Sequence, residues 1–158
     1  MISNVRNRVV IVLAGVALAV LLMADPAWAC SCDPRPVPGS FEKADFVVSG
    51  LVTAISLDPQ TRLLRVQLDV RESFKTQAPG VAVEIYTAPY GASCFGFDLH
   101  VGREYVLFAS APGSISVRNP PKVPAGALIV WLCGGTAEIG NLQGNQALQQ
   151  LRKLVRGK

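Results

Sequence analysis

The sequence is poor in the residues that most enzyme sites require. It holds a single histidine, His100, among 158 residues, so an ordinary zinc enzyme site lacks most of its ligands. Its paired glycines do not lead into a helix with the spacing of a phosphate-binding loop. Asp69 and Glu72 fall on the polar face and end of a predicted strand, where charge is expected to be solvated. We therefore expect a protein that is not an enzyme, needs no cofactor and binds no metal ion by itself.

Clustered charge is also missing. The 15 basic and 11 acidic residues are scattered along the chain, without the basic stripe that marks a nucleic-acid-binding surface. Charges spread in this way mainly keep a domain soluble. We expect no nucleic-acid partner.

Charge is absent altogether from one apolar run near the start of the chain. Residues 9–23 carry no charge. Arg6 and Arg8 precede this run, and Asp25-Pro26 end it. The small-residue pattern Ala27-Trp28-Ala29 then completes a secretory signal. Because a membrane span needs about 20 apolar residues, this run is too short for one. We predict that the signal ends at Ala29.

Removal of residues 1–29 would leave one exported domain, residues 30–158, with Cys30 as its first residue. A lipid-modified cysteine also directly follows a signal. That pathway favours a large aliphatic residue three positions before the cysteine and a small one two before it, whereas Ala27 and Trp28 stand there. We expect a secreted protein that makes no contact with membrane, and keep a lipid-anchored envelope protein with Cys30 acylated as an alternative.

All four cysteines lie in the predicted exported domain, at Cys30, Cys32, Cys94 and Cys133. An even number in an exported chain predicts two disulfides. Direct pairing of Cys30 with Cys32 is sterically poor, which leaves two patterns that tie the N-terminus to Cys94 and to Cys133. A four-cysteine zinc site is the competitor, disfavoured because one residue separates Cys30 from Cys32 where a zinc knuckle has two to four.

Hydrophobic patterning predicts five strands and a final helix. The alternation is clearest where Leu64, Val66, Leu68 and Val70 face one side, and Gly50 is expected to bend or bulge the first strand. The strands are expected at residues 44–57, 62–70, 81–87, 103–110 and 127–132.

The helix is indicated by Leu148, Leu151, Leu154 and Val155, which recur at helical spacing as a core-packing face. One further helical turn is expected at residues 40–43, and a long exposed loop at 111–126. A mainly β chain of this size favours a five-stranded Greek-key barrel of the OB type with a C-terminal helix. A small sandwich is the runner-up.

Cys30 would carry its own chemistry as an N-terminal residue. An α-amine titrates near pH 7.7–8.0, so a substantial fraction is neutral near pH 7.5 and can donate its lone pair to a metal. The carbonyl oxygen of the same residue closes a five-membered chelate ring, and the pair can replace water at the open position of a catalytic zinc. The plainer alternative is a disulfide staple that only stabilises the fold.

Several segments occur in the same order in one known family. They are Cys30-Ser31-Cys32 after the signal, residues 41–48, Ser93-Cys94 followed by residues 97–99 and 101–107, and Leu132-Cys133 before the last helix. Across most of residues 30–155 the chain resembles the tissue inhibitors of metalloproteinases and their netrin-like relatives.

The resemblance implies an OB-type barrel stapled by two disulfides, Cys30–Cys94 and Cys32–Cys133. In the family the amine and carbonyl of the first cysteine chelate the catalytic zinc of the target protease, a role that falls here on Cys30. The implied function is that of a secreted inhibitor, with a zinc metalloprotease as its partner.

Two further contacts with the protease follow from the resemblance. The side chain of the second residue, here Ser31, enters the specificity pocket beside the zinc. The segment before the central cysteine, here Ala92-Ser93, lies along the same edge.

The chain also departs from the family pattern. Animal members carry a third disulfide in this domain and a second cysteine-rich domain, and the loop 111–126 has no counterpart in them. An extracellular netrin-like module that binds another protein without inhibiting a protease is therefore the alternative function.

Overall fold

The computed structural model describes residue 32 and residues 35–76, 82–89, 96–115 and 122–157. The predicted signal lies outside these residues. Within them a sheet of six strands packs against two helices. In chain order the elements are α1 (Val37–Lys43), β1 (Phe46–Leu57), β2 (Leu64–Lys75), β3 (Ala82–Thr87), β4 (Glu104–Ala109), β5 (Leu128–Ile129), β6 (Ala137–Glu138) and α2 (Leu142–Arg156).

The strands form one mixed sheet in the order β5-β3-β2-β1-β4-β6. All neighbours are antiparallel except β3 and β5, which run parallel. Directly after β4, Ser110 exchanges two backbone hydrogen bonds with Ile129 of β5, at 3.0 and 2.9 Å. The sheet therefore curls into a half-barrel, and the end of β4 meets the far edge strand.

The described sheet has six strands where the sequence predicted five. The additional strand, β6, has only two residues, and its pairing with Tyr105 and Val106 of β4 defines it. Two residues cannot show an alternating pattern, so local sequence does not reveal such a strand. The strand predicted at 127–132 is shorter than expected: only Leu128–Ile129 forms a strand, and Leu132–Gly134 forms a 3₁₀ turn.

The bulge expected at Gly50 is confirmed. The β1–β2 register shifts between Ser49 and Gly50. A Cβ atom added to Gly50 would lie 2.9 Å from the carbonyl oxygen of Asp69. The close approach of the two strands requires glycine at this position.

Both faces of the central strands are buried, which explains their long apolar runs. On β4, Tyr105, Leu107 and Ala109 join the core inside the curled sheet. Val106 and Phe108 point to the other face and pack with residues of α1 and α2. Strands that are covered on both sides lose the polar half of the usual alternation.

Helix α2 lies close to the sheet because small residues line its inner face. Asn141 caps the helix, since its side chain accepts a hydrogen bond of 2.8 Å from the amide of Gly144. Gly144, Ala147 and Leu151 are buried. The packing face is thus shifted toward the N-terminal half of the helix, and Val155, predicted as part of it, is 42% exposed.

An ion pair joins the solvent side of α2 to β2. The Arg152 guanidinium donates from Nε to Glu72 Oε2 at 3.0 Å and from a terminal nitrogen to the other carboxylate oxygen. This hydrogen bonding to Arg152 lowers the pKa of Glu72. The two residues stand 80 positions apart, so the pair fixes α2 on the sheet.

We expect Gly144→Ala to destabilise the fold. A Cβ at residue 144 would lie 1.9 Å from the carbonyl oxygen of Glu138, a backbone atom that cannot rotate away. Overpacking of this kind costs about 1–3 kcal/mol, more than the ~1 kcal/mol that alanine gains over glycine in a helix. Urea unfolding of the variant should show a lower free energy of unfolding.

Gly39→Ala is the matched control, because Gly39 is also helical and a Cβ there would meet nothing within 4 Å. It should stabilise the protein by about 0.5–1 kcal/mol. A Gly144 variant as stable as the original protein would contradict the close packing of α2, and loss of stability in the Gly39 variant would contradict the open space around that position in α1.

Glu72→Gln should lower stability at neutral pH but not in acid. Because the folded pKa of Glu72 is lowered, its contribution is present above the pKa of the unfolded chain and is lost as pH falls through the folded value. The pair is partly exposed, so we expect a difference of about 0.5–1 kcal/mol near pH 7. Urea unfolding of both proteins from pH 7 to pH 3 should show the difference closing; a constant difference would contradict the ion pair as its cause.

Candidate functional site

One disulfide anchors the start of the described chain. Cys32 and Cys133 are bonded, with their Cα atoms 5.2 Å apart, and they stand 101 positions apart in sequence. This is one of the two pairings that the resemblance implied. The residues of the other, Cys30 and Cys94, lie outside the described residues, so that pairing stays a prediction.

The turn that carries Cys133 packs tightly against α1. Gly135 ends the turn with φ +98°, and a Cβ there would lie 2.7 Å from the hydroxyl oxygen of Ser40. Next to it, the hydroxyl of Thr136 accepts a hydrogen bond of 3.1 Å from the amide of Phe108 on β4. The turn is therefore fixed between the helix and the sheet.

Lys75, at the end of β2, holds the C-terminal end of α1. Its ammonium donates hydrogen bonds to the carbonyl oxygens of Phe41 at 3.2 Å, Glu42 at 3.3 Å and Ala44. Its nitrogen also lies 5.6 Å from the centre of the Phe41 ring. Carbonyls at a helix end lack hydrogen-bond donors within the helix. The Lys75 ammonium supplies the missing donors. Lys75 lies beyond the strand that the sequence predicted at residues 62–70, and no local pattern reveals a contact that spans more than 30 residues.

The loop that contains Ala92, Ser93 and Cys94 has both of its ends held together. Ala88 and Gly96 form a parallel bridge on either side of it. The amide of Phe97 donates a hydrogen bond of 3.0 Å to the Thr87 hydroxyl. The three predicted residues themselves lie outside the described residues, as does Ser31.

A cleft of about 380 Å³ links this region to the disulfide turn. Its walls include Phe97, which follows the loop, and Leu132, which precedes Cys133. Tyr105 also lines it, and the rings of Phe97 and Tyr105 meet edge to face, with centroids 6.3 Å apart. The segments next to Cys94 and to Cys133 therefore come together at one end of the sheet.

The single histidine, His100, lies on the surface near this cleft. The His100 side chain is 61% exposed, and its Nε2 is 3.7 Å from Asp98 Oδ1. Its amide donates to the Tyr105 hydroxyl at 3.1 Å, and burial raises the pKa of that hydroxyl.

Metal-ligating side chains do not gather in the described part of the chain. Nowhere in it do three or more histidine, cysteine, aspartate or glutamate side chains approach closely enough to hold an ion. The helices in the same ranges are also too short or too polar to cross a membrane.

No family model matches the chain. Among curated proteins it is similar to metalloproteinase inhibitor 2 of Canis lupus familiaris, with 32% identity over 110 residues that cover 62% of this chain and 50% of the relative. The proteins of the same name from Rattus norvegicus and Homo sapiens are 34% identical over 109 residues, covering 61% of this chain and 49% of each relative. The chain spans about half the length of the curated relatives it matches. Over about three fifths of its own length, it is thus similar to proteins named as metalloproteinase inhibitors.

Proposed function

We propose that this protein is an exported inhibitor of a zinc metalloprotease and not an enzyme itself. Its similarity to metalloproteinase inhibitor 2 supports the class of partner. The observation that carries the proposal is the Cys32–Cys133 disulfide, which fixes the chain two residues after Cys30. In the proposed mechanism the free α-amine and the carbonyl oxygen of Cys30 displace water from the catalytic zinc of the protease.

Anchoring Cys32 limits where the amine can go. Successive Cα atoms are 3.8 Å apart, so the Cα of Cys30 lies within about 7.6 Å of that of Cys32. The proposed bond from Cys30 to Cys94 would hold the terminus from a second side. A chelating group that is already in place loses less conformational entropy when it binds.

The surface proposed to contact the protease, here called the Cys30 edge, includes Ser31 and the segment Ala92-Ser93 as well as Cys30. Ser31 would enter the specificity pocket of the protease, and Ala92-Ser93 would lie beside it. The pinned flanks of their loop, at Ala88 and Gly96, support a fixed position for Ala92-Ser93. The cleft shared by Phe97 and Leu132 supports their nearness to the disulfide turn.

The proposed scaffold is an OB-type barrel formed by residues 30–158. The described sheet would close into it in the order β1-β2-β3-β5-β4, with β4 returning to β1. The parallel pairing of β3 with β5 and the hydrogen bonds between Ser110 and Ile129 support that closure. The short β6 would then be an extension beside β4. The signal at residues 1–29 would direct the domain outside the cell.

One added residue before Cys30 should greatly weaken inhibition. The extra residue turns the amine of Cys30 into an amide nitrogen, which no longer has a lone pair available for zinc. We expect inhibition to weaken about a hundredfold or more, equivalent to about 2.7 kcal/mol, with the melting temperature nearly unchanged. The measurement is hydrolysis of a fluorogenic peptide by a panel of zinc metalloproteases.

The control is a variant with one alanine added after Lys158. It has the same composition as a protein with one alanine added before Cys30, but its Cys30 amine stays free. It should inhibit like the original protein. Equal inhibition by the N-terminally extended protein would refute chelation. Absence of inhibition by the unextended protein with a free amine would favour the binding module instead.

Gly96→Ala tests the proposed contact between Ala92-Ser93 and the protease. A Cβ on residue 96 would lie 2.6 Å from the carbonyl oxygen of Pro89, so the two ends of the loop would have to separate. We expect inhibition to weaken about tenfold while the Cys30 amine is untouched. Inhibition constants and thermal unfolding of the same preparations separate this effect from loss of fold.

Gly113→Ala is the matched control, because a Cβ there meets nothing within 4 Å. It should leave inhibition unchanged. If the Gly96 and Gly113 variants inhibit alike, the loop at 90–95 does not contact the protease.

A further inference from the structure

The net charge of the chain lies in its last helix. The segment 141–158, which contains α2, includes no aspartate or glutamate and four basic residues, Arg152, Lys153, Arg156 and Lys158. Without these four, 11 of the 15 basic residues of the chain remain, as many as its 11 acidic residues. Residues 1–140 are therefore neutral overall, and the net charge of +4 is that of this segment.

The sheet balances its own charges. Two arginines of β2 each approach two carboxylates, at nitrogen–oxygen distances from 3.1 to 3.9 Å: Arg65 with Asp58 and Glu84, and Arg71 with Asp69 and Glu104. Next to β4, Arg103 lies 3.3 Å from Glu138. Charges of both signs are thus interleaved on the sheet, whereas α2 has cations alone.

Helix geometry puts two of these cations on the side of α2 that faces away from the core. Ala147 and Leu151 are buried against the sheet. With 3.6 residues per turn, Leu142 lies two and a half turns before Leu151 and therefore on the opposite side of the helix. Lys153 and Arg156 lie within about 40° of the same outer line. All three of these outward residues are exposed.

Leu142 gives this outer line an apolar end. Its side chain is 75% exposed, more than any other large hydrophobic residue in the described part of the chain. Arg156 stands about 21 Å away along the helix axis. The exposed side chains between them on this side include the amides of Asn145, Gln146 and Gln149. We call the line of Leu142, Gln149, Lys153 and Arg156 the outer face of α2.

An exposed leucine and cations on one helix face match the surface of a lipid bilayer. The headgroup region of a bilayer offers phosphates to basic side chains and, just below them, apolar chains to a leucine. A soluble polyanion would use the cations but would gain nothing from Leu142. The leucine therefore favours the membrane surface as the partner.

We propose that the outer face of α2 binds a membrane surface that contains anionic phospholipid. Lys153 and Arg156 contact the phosphates of the headgroups, and Leu142 enters the boundary between headgroups and acyl chains. The helix lies flat on the bilayer and does not cross it. This contact needs no acyl chain on Cys30, and it shares no residue with the Cys30 edge, so it stands or falls separately from protease inhibition.

The test is cosedimentation with lipid vesicles of a preparation whose mass shows no acyl group. Vesicles of phosphatidylcholine alone are compared with vesicles that also contain phosphatidylglycerol. We expect binding to the anionic vesicles only, and weaker binding as sodium chloride is raised, because salt screens exposed charges. Equal binding to both kinds of vesicle, or binding to neither, would overturn the proposal.

Two pairs of substitutions with the same loss of charge separate this face from general attraction to a basic protein. Lys153→Gln with Arg156→Gln should weaken vesicle binding at least tenfold. The control, Arg62→Gln with Lys122→Gln, removes two exposed charges outside α2 and should bind like the original protein. Equal weakening by both pairs would refute a specific face.

Cations in the last turn of a helix also complement its dipole. If Lys153 and Arg156 had that role alone, their replacement would lower the melting temperature and leave vesicle binding unchanged. That result would overturn the proposal as well.

Leu142→Ser tests the apolar part of the contact. It should weaken vesicle binding about fivefold, while binding of dextran sulfate, an anionic polymer without acyl chains, stays the same. The matched control is Leu57→Ser, since Leu57 is also exposed, at 56%, but lies at the end of β1. Dextran sulfate bound as tightly as the vesicles, with no effect of Leu142→Ser on either, would assign the face to a soluble polyanion and refute the membrane.

NMR of the original protein keeps the test decisive if a variant fails to fold. With a paramagnetic ion on the lipid headgroups, the amide signals of Leu142, Gln149, Lys153 and Arg156 should broaden more than those of β3. Broadening centred on another part of the protein would contradict the proposed orientation.

Discussion

The bond between Cys32 and Cys133 ties the first described residue to the turn before β6. In the chain-entropy account, closing a loop of this length stabilises the fold by about 4–5 kcal/mol. The helix that follows Cys32, α1, has only seven residues, too few to persist alone in water. It depends on what surrounds it, namely the disulfide before it, the Lys75 ammonium at its end and the packing of Phe41 against α2 and β4.

Two different surfaces depend on this anchored end. On one side, the turn meets the segment after the 90–95 loop in the cleft of Phe97 and Leu132, where we place the Cys30 edge. On the other side, the same turn and α1 enclose a cavity lined by Arg35, Ser40 and Lys43. Lys75 contributes to both, because its hydrogen bonds to the carbonyls of Phe41, Glu42 and Ala44 fix the C-terminal end of α1. A single cross-link thus positions residues that are distant in sequence.

The sequence predicted elements that follow a regular hydrophobic pattern. It missed features that depend on contacts between residues far apart in the chain. The alternation of Val66, Leu68 and Val70 identified β2 because one face of that strand is buried. By contrast, β6 exists only through its pairing with β4, and α1 begins at Val37, three residues before the helical turn expected at 40–43. For the site, the resemblance supplied the Cys32–Cys133 pairing, whereas the cap by Lys75 and the cavity around Ser40 come from chain segments that no local pattern connects.

The central claim is that export leaves Cys30 as a free N-terminal residue held by two disulfides. The most direct test is the intact mass and N-terminal sequence of the exported protein. The account predicts Cys30 as the first residue, an unmodified amine, and a mass lower by two hydrogens for each of two disulfides. An acyl group on Cys30, or a terminus at another residue, would contradict zinc chelation.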